Sequence, residues 1–400
     1  MKPAVARTAA FGALLAVERG AWSAEALASK SVHLDSRDAG LASDIVFGTL
    51  RHQGEIDALV DKYSKRPAAK LDEAVRLALR IALYQIRFLD RVPDHAAVND
   101  SVELARRAGT PSAASFVNAV LRSALREPAE VPETASTPGW LVERWIAHFG
   151  EATALQIAHA TLAPPERYIR VGDSAPPEGA VATDVPGCYV LDHGDPGPFR
   201  FQDIGSQSVV PLLDLQAGQA FLDLCAAPGN KTAQALETPL QAIACDLHAS
   251  RARMMRTLGI PIAVVDATSP LPFTRRFDRI LVDAPCTGTG TWRRNPDARQ
   301  RLAATDLAEL TARQAAILDA AAPLVRKRGR LVYATCALLE EENEAQVMHF
   351  LARHPGFSLV PLARAWPFDG APPCTGDFLA LTPARHGTDG FFAAVLERTA

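Results

Sequence analysis

No apolar run in this 400-residue chain is long enough to cross a bilayer, which excludes a helical membrane span. The start, Met1-Lys2-Pro3-Ala4-Val5-Ala6-Arg7, is followed by Glu18, Arg19 and Glu25 without a cleavable hydrophobic segment, so no signal peptide is expected. The six cysteines, Cys188, Cys225, Cys245, Cys286, Cys336 and Cys374, form no CxxC pair and show no metal-ligand spacing. That argues against a disulfide framework and against a zinc site, and a reducing cytoplasm is the expected compartment. Excess charge is also missing: the net value is −3, which taken alone argues mildly against a nucleic-acid binder, although phosphate responds to a local basic face rather than to the whole-chain sum. At 48% hydrophobic and 22% charged residues, the chain reads as a soluble protein of two or three domains with a sizeable core.

From about Val5 to Arg126 every periodic stretch is helical. Between Leu71 and Asp90, Val75, Leu79, Leu83 and Ile86 recur at spacings of three and four, with Arg76, Arg80 and Arg87 largely off that stripe. Similar stripes run through Ile45, Val46 and Leu50, and through Phe116, Val117, Val120, Leu121 and Leu125. An all-α domain of about five or more helices is expected. Pro128, Pro132 and Pro138, interleaved with Glu130, Glu133, Ser136 and Thr137, read as a linker. A helical stretch from Trp140 to Thr161 and a Pro/Gly-rich segment from Ala163 to Pro198 follow, with short strands at Tyr168-Ile169-Arg170-Val171 and Tyr189-Val190-Leu191. Beyond Phe221 short apolar runs alternate with helices. Strands are expected at Ala220 to Leu224, Ala242 to Cys245, Ile262 to Val265, Arg279 to Val282, Gly329 to Ala334, Phe378 to Leu381 and Phe391 to Leu396. Intervening helices such as Leu302 to Arg326 imply βαβ units, a mainly parallel sheet and an antiparallel closing pair.

Three loops of this α/β half carry chemistry. Asp223-Leu224-Cys225-Ala226-Ala227-Pro228-Gly229-Asn230-Lys231-Thr232 leads from a strand into a helix, and its small residues admit a ligand to the main chain. It lacks the GxGxxG and GxxxxGK[ST] patterns, and an ordinary strand-to-helix turn is the alternative. Asp246, Asp266 and Asp283 follow at successive strand ends, an acidic edge suited to a nucleoside with a cationic centre such as S-adenosylmethionine; each could instead cap a helix. Cys286, in Val282-Asp283-Ala284-Pro285-Cys286-Thr287-Gly288-Thr289-Gly290, and Cys336, in Leu331-Val332-Tyr333-Ala334-Thr335-Cys336, lie just past two strand ends, where a thiol faces substrate, and together point to covalent chemistry on a pyrimidine. Cys225 and Cys245 read as packing residues. The run Glu340-Glu341-Glu342-Asn343-Glu344 reads as a solvated helix start. Trp292-Arg293-Arg294-Asn295-Pro296 is read as a base-stacking, phosphate-pairing loop, or else as an exposed loop whose tryptophan packs on the sheet edge. Lys65-Arg66, Arg106-Arg107 and Arg326-Lys327-Arg328 are weaker candidates for RNA contact, the alternative being basic groups at helix ends that serve solubility and the dipole.

In order and spacing, Asp223 to Thr232, Asp283 to Gly290 and Tyr333 to Asn343 resemble the cofactor and two-cysteine motifs of the Sun family of RNA cytosine-5 methyltransferases. Phe201-Gln202-Asp203-Ile204-Gly205-Ser206-Gln207 looks like that family's opening segment, and Arg385-His386-Gly387-Thr388-Asp389-Gly390-Phe391-Phe392 like its last strand. The helical half is similar to the NusB-like RNA-binding domain of the bacterial RsmB-type branch, which methylates a cytosine of 16S ribosomal RNA. The resemblance implies a NusB-like domain over residues 1–128, a linker and small RNA-contacting region over 129–200, and a Rossmann-like class I methyltransferase domain over 201–400. It implies that Cys225, Ala226, Ala227, Pro228, Gly229, Asn230 and Lys231 contact S-adenosyl-L-methionine through their main chain, that Asp246 holds the ribose, and that Asp266 lies beside the adenine. Asp283 would lie at the methyl donor and target base, Cys336 would be the nucleophile, and Cys286 would assist release. Asn230 departs from the family's second glycine, and the segment between Arg170 and Phe201 is short for this branch.

The reaction so implied begins with thiolate addition at cytosine C6, which makes C5 nucleophilic enough to take a methyl group; a base then removes the C5 proton, Cys286 being one candidate. The base must be unstacked, so the RNA partner is expected as a single strand, bulge or opened junction, in 16S ribosomal RNA or a small-subunit assembly intermediate, with the protein a monomer and no membrane partner. The alternatives are a transfer RNA methyltransferase, a DNA cytosine-5 methyltransferase with its nucleophile in Pro285-Cys286, and a non-catalytic RNA-binding ribosome assembly factor.

Overall fold

A computed structural model describes residues 3–108 and 111–399; Met1 and Lys2, Gly109 and Thr110, and Ala400 lie outside the described residues, and with them the ends of the expected domain ranges. No helix among the described residues is long and apolar enough to cross a membrane. The chain contacts divide into two units, one running up to Ile146 and including Glu151–Pro164 and Trp292–Arg301, the other comprising Ala147–Gly150, Pro165–Thr291 and the chain from Leu302 onward.

The first unit is helical. Its helices are α1 (Val5–Glu18), α2 (Ser23–Ser31), α3 (Ser36–Arg51), α4 (Gln53–Ser64), α5 (Glu73–Phe88), α6 (Asp94–Arg107), α7 (Ala114–Arg126), most of α8 (Gly139–Phe149), and α9 (Glu151–Ala160). Asp35 and Asp72 accept backbone N–H groups at the starts of α3 and α5, supplying partners the first helical turn lacks. Val75, Leu79 and Leu83 are buried as their spacing predicts, but α5 is wrapped on nearly all sides. Arg80, expected off the stripe, is therefore buried as well. Its Nε and Nη2 donate to the two Asp57 oxygens at 2.7 and 2.8 Å and its Nη1 to Glu18 at 2.5 Å, partners that make an interior guanidinium tolerable.

Two expectations change in this unit. The proline-rich stretch predicted as a linker packs onto the helices: Ala129 joins the core, Ser136 and Thr137 are buried, and Ser136 Oγ bonds the Glu55 N–H at 3.2 Å. The helical unit thus runs beyond residue 128. Trp292 and Arg293, predicted to face RNA, are buried within this unit, with the Trp292 ring 6.2 Å from that of Trp145. The exposed-loop alternative does not hold either, since both side chains are buried. Asp297 accepts from the Ser23 N–H and Oγ at 2.9 and 2.8 Å, and Arg299 donates to the carbonyls of Arg51, Ser136 and Thr161 and to Thr161 Oγ1. Local composition reads as a basic, solvated loop; only the distant carbonyls turn it into an internal strap.

The second unit begins with a small antiparallel sheet in the order β2-β3-β1-β4, made of β1 (Tyr168–Arg170), β2 (Val181–Ala182), β3 (Cys188–Val190) and β4 (Arg200–Phe201). The helix α10 (Ile204–Val209) leads to an eight-stranded sheet built from β5 (Ala220–Asp223), β6 (Gln241–Asp246), β7 (Ile262–Val264), β8 (Phe277–Asp283), β9 (Val325–Thr335), β10 (Phe357–Val360), β11 (Leu379–Leu381) and β12 (Phe391–Arg398). Its order is β10-β12-β9-β8-β5-β6-β7, with β11 paired to β12. The pairs from β9 to β7 are parallel, and β12 is antiparallel to β9, β10 and β11. The alternating runs after Phe221 thus fold as predicted, a Rossmann-like arrangement with an antiparallel edge, and β10 is the strand the sequence did not signal. The basic run at 326–328 opens β9 rather than ending a helix, and Arg326 bonds Asp278 at 2.8 Å. The chain leaves β5 toward β6 and β7 and returns beside β5 as β8, so the strand order reverses between β5 and β8, where ligands collect in open α/β sheets.

Candidate active site

A cleft of about 430 Å³ opens at the carboxyl ends of these strands, within the size range of ligand sites. Its walls include Cys225 and Ala227 after β5, Asp246 at the end of β6, Asp266 beyond β7, and Asp283, Pro285 and Cys286 after β8. Cys336, one residue past β9, completes it. Five of the predicted site residues therefore share one cavity with Cys225 and Ala227. Ala226, Pro228, Gly229 and Asn230 belong to the same turn, in which Gly229 takes φ +100° as the residue before helix α11 (Asn230–Ala235). Asn230 itself is helical, so the missing second glycine does not strain the loop, and its Nδ2 donates to the Phe201 carbonyl at 3.2 Å.

The carboxylates are differently held. Asp246 Oδ1 accepts the His248 N–H at 2.9 Å, while Oδ2 lies 3.8 Å from the Arg251 guanidinium. Asp266 Oδ1 accepts both the hydroxyl and the N–H of Thr268, which hold this exposed carboxyl below its usual range. Asp283 Oδ2 accepts from Lys231 Nζ at 2.8 Å. Burial works against the Lys231 charge, but Asp283, then Cys336 and Asp223, favour the ammonium and raise its pKa. The Lys231 ammonium also lies 5.0 Å from the Phe391 ring centre. Asp223, wholly buried beneath the turn, is pushed up to about 7 by desolvation, although Thr232 Oγ1 donates to it at 2.7 Å.

Cys286 Sγ and Cys336 Sγ are 3.4 Å apart, within hydrogen-bonding distance and not disulfide-bonded. Cys286 is held as the thiol: the hydrogen bond to Cys336, burial and the negative charge of its neighbours all push it well above the usual range. Cys225 and Cys245 are raised by burial too, which keeps them inert. The two cysteine segments are tied by main chain. The Gly290 N–H donates to the Cys336 carbonyl at 2.9 Å, the Gly390 N–H to the Gly290 carbonyl at 2.8 Å, and the Leu338 N–H to Thr289 Oγ1 at 2.8 Å. A Cβ on Gly290 would lie 2.3 Å from the Gly390 oxygen. Gly290→Ala is accordingly expected to cost ~1–3 kcal/mol of stability and most of the activity, checked by thermal denaturation alongside a methyl-transfer assay.

The family description 16S rRNA methyltransferase RsmB/F matches residues 210–397, and the NusB family description matches residues 4–126. The chain is 31% identical to a probable ribosomal RNA small subunit methyltransferase B of Bacillus subtilis, with 100% of both chains covered. It is 34% identical to the ribosomal RNA small subunit methyltransferase B of Thermus thermophilus, covering 100% of this chain and 99% of the relative. The chain belongs to the RsmB/F family of 16S rRNA methyltransferases. The solved structure of PH0851 aligns with it at a TM-score of 0.81 and 26% identity, over 100% of this chain and 99% of that one.

Within this RsmB/F family member the sequence reading missed three side chains. Glu342, taken for part of a solvated helix start, is fully buried and accepts from the Thr287 N–H and Gln314 Nε2 at 2.8 and 3.0 Å and from Thr287 Oγ1 at 2.5 Å. The signal that could have revealed it is the buried apolar trio Ala337-Leu338-Leu339 just before the acidic run, which keeps the chain inside the protein as it reaches Glu342. Gln314 and Thr287 carried no signal, since their partner is remote in sequence.

Proposed function

We propose that this RNA methyltransferase transfers a methyl group from S-adenosyl-L-methionine to C5 of a cytosine in 16S ribosomal RNA in the cytoplasm, through a transient bond between Cys336 and C6. The observation that carries this reading is the pair of thiols 3.4 Å apart in the cleft that also holds Asp246, Asp266 and Asp283. The residues present suit the cofactor: three carboxylates line a cavity of adequate size, and Asp246 turns one oxygen toward a neighbouring N–H while the other has only a long contact to Arg251. Asp246 and Asp266 would hold the nucleoside, and the turn from Cys225 through Lys231 would frame it. When bound, S-adenosylmethionine supplies an electrophilic methyl group.

Of the two thiols, Cys336 is the better nucleophile, because Cys286 is held protonated by its contact with Cys336 and by burial. The Cys336 thiolate forms the S–C6 bond as the C5–C6 π pair shifts toward the C4–N3 side of the ring, where the Lys231 ammonium stabilises the charge and Asp283, paired to Lys231, accepts a hydrogen bond from the exocyclic amino group. After methylation at C5, a base removes the C5 proton, the double bond re-forms and the S–C6 bond breaks, returning the thiolate. Cys286, in contact with Cys336 Sγ, assists that release. The 16S ribosomal RNA target, over transfer RNA or DNA, is supported by the RsmB/F match and by the names of the relatives.

The test is methyl transfer from isotopically labelled S-adenosylmethionine to deproteinised 16S RNA, transfer RNA and duplex DNA. Label in 5-methylcytosine of 16S RNA is the expected result, and label confined to DNA would overturn the assignment. Asp246→Ala is expected to weaken cofactor binding by roughly 10- to 100-fold, the value of a hydrogen bond to a charged group, as read by calorimetric titration.

A further inference from the structure

Cys286 sits on a loop that β8 alone does not fix. Beyond Asp283 the loop is tied to β9 and the segment after it by the Ala284 N–H to the Ala334 carbonyl at 2.8 Å, the Gly290 N–H to the Cys336 carbonyl at 2.9 Å and the Leu338 N–H to Thr289 Oγ1 at 2.8 Å, which leaves the peptide groups on either side of the thiol to be held by something else. What holds them is a buried polar cluster. Gln314 Nε2, from helix α14 (here Asp306–Ala321, following α12, Ala249–Ala252, and α13, Pro296–Arg301), donates to the Pro285 carbonyl at 3.0 Å and to Glu342 Oε1 at 3.0 Å. Glu342 in turn accepts the N–H and the hydroxyl of Thr287. The peptide groups immediately before and after Cys286 are thus pinned from one point.

That point is itself fixed. Tyr333 Oη donates to the Glu342 carbonyl at 2.6 Å, and the next residue, Asn343, accepts from Thr335 Oγ1 at 2.5 Å while its Nδ2 donates to the Ala337 carbonyl at 3.0 Å. The same short segment therefore grips both the strand end that carries Cys336 and the loop that carries Cys286. Burying a carboxylate with no exposure is costly unless donors surround it, and here the Thr287 N–H and Gln314 Nε2 can only donate. A solvated helix start has no need of such an arrangement.

We infer that Glu342, with Gln314, is a positioning residue that holds the Cys286 thiol against Cys336 for the release step, an inference that rests on the proposed role of Cys286. Its loss leaves methyl transfer to the base possible but slows departure of the product.

The experiment compares Glu342→Met, which keeps the volume and removes the acceptors, with Glu342→Gln, which keeps one carbonyl oxygen for the Thr287 N–H and Gln314. Cys286→Ala is the reference. The readouts are denaturant-resistant protein–RNA adduct, the rate of product release, and cofactor affinity. Glu342→Met is expected to accumulate adduct as Cys286→Ala does, with release slowed ~10- to 100-fold, the cost of a misplacement of about 1 Å. Glu342→Gln is expected to restore release to near the wild-type rate, and cofactor affinity is expected to be unchanged in both. Combined with Cys286→Ala, Glu342→Met is expected to add no further slowing. If Glu342→Met fails to fold, Thr287→Val and Gln314→Met carry the same readouts. Adduct in Cys286→Ala but wild-type release in the folded cluster variants would overturn the inference alone; no adduct in Cys286→Ala would overturn the role of Cys286 and the inference with it.

Discussion

Cys336→Ala is expected to abolish methyl transfer and to form no denaturant-resistant complex with RNA, whereas Cys286→Ala is expected to trap one. The asymmetry follows from geometry and charge. The two sulfurs are 3.4 Å apart, so either could reach a base in the cleft, but Cys286 is held protonated. Cys286 is pressed toward the thiol by its hydrogen bond to Cys336 and by burial, which leaves Cys336 as the nucleophile. Losing the nucleophile removes the step that makes C5 reactive, and nucleophile knock-outs typically cost several powers of ten in rate. Losing the assisting thiol leaves addition intact and stalls elimination. The measurement is transfer of labelled methyl to 16S RNA together with a denaturing gel for the adduct. The reverse pattern, adduct in Cys336→Ala and none in Cys286→Ala, would make Cys286 the nucleophile and return the DNA-type reading.

The second large effect is on stability. Arg299→Met is expected to destabilise the helical unit by about 3 kcal/mol, which for a unit of this size lowers its melting temperature by roughly 6–12 °C. Arg299 is buried and its guanidinium donates to three carbonyls, those of Arg51, Ser136 and Thr161, and to Thr161 Oγ1. It also lies 4.9 Å from the Trp292 ring centre. Burial pulls its pKa down to about 10, so it is still cationic at neutral pH, and methionine would fill the space while leaving those acceptors unpaired in the interior. Calorimetry resolves the transition, and amide exchange in α3 and α9 should report the same loss. An unchanged transition would show that the strap from Trp292 to Arg301 contributes nothing to the unit in which it is buried.

The helical half, the parallel strands and the cysteine pair were legible because each leaves a local trace: a 3.6-residue period, a short run apolar on both faces, a thiol just beyond a strand. The strap was not. Trp292-Arg293-Arg294 has the composition of a nucleic-acid contact, and nothing nearby in sequence announces that Trp145 will pack on it and that the Arg51 guanidinium will donate to the Arg293 carbonyl. Arg80 misled in the same way, since a stripe assigns faces to a helix but cannot say that Asp57 and Glu18 will meet its far side. Glu342 was hidden among glutamates that look alike.

What residue order alone determined here is the set of elements and the chemistry at their ends: helices first, then a Rossmann-like sheet, with thiols and carboxylates after its strands. What only folding decided is which charged groups turn inward. Periodicity is a property of neighbours in the chain, whereas a buried ion is stable only when partners supplied from far away satisfy most of its polar atoms. Glu342 with Gln314, and Arg299 with the carbonyls of three separate segments, owe their roles to such partners.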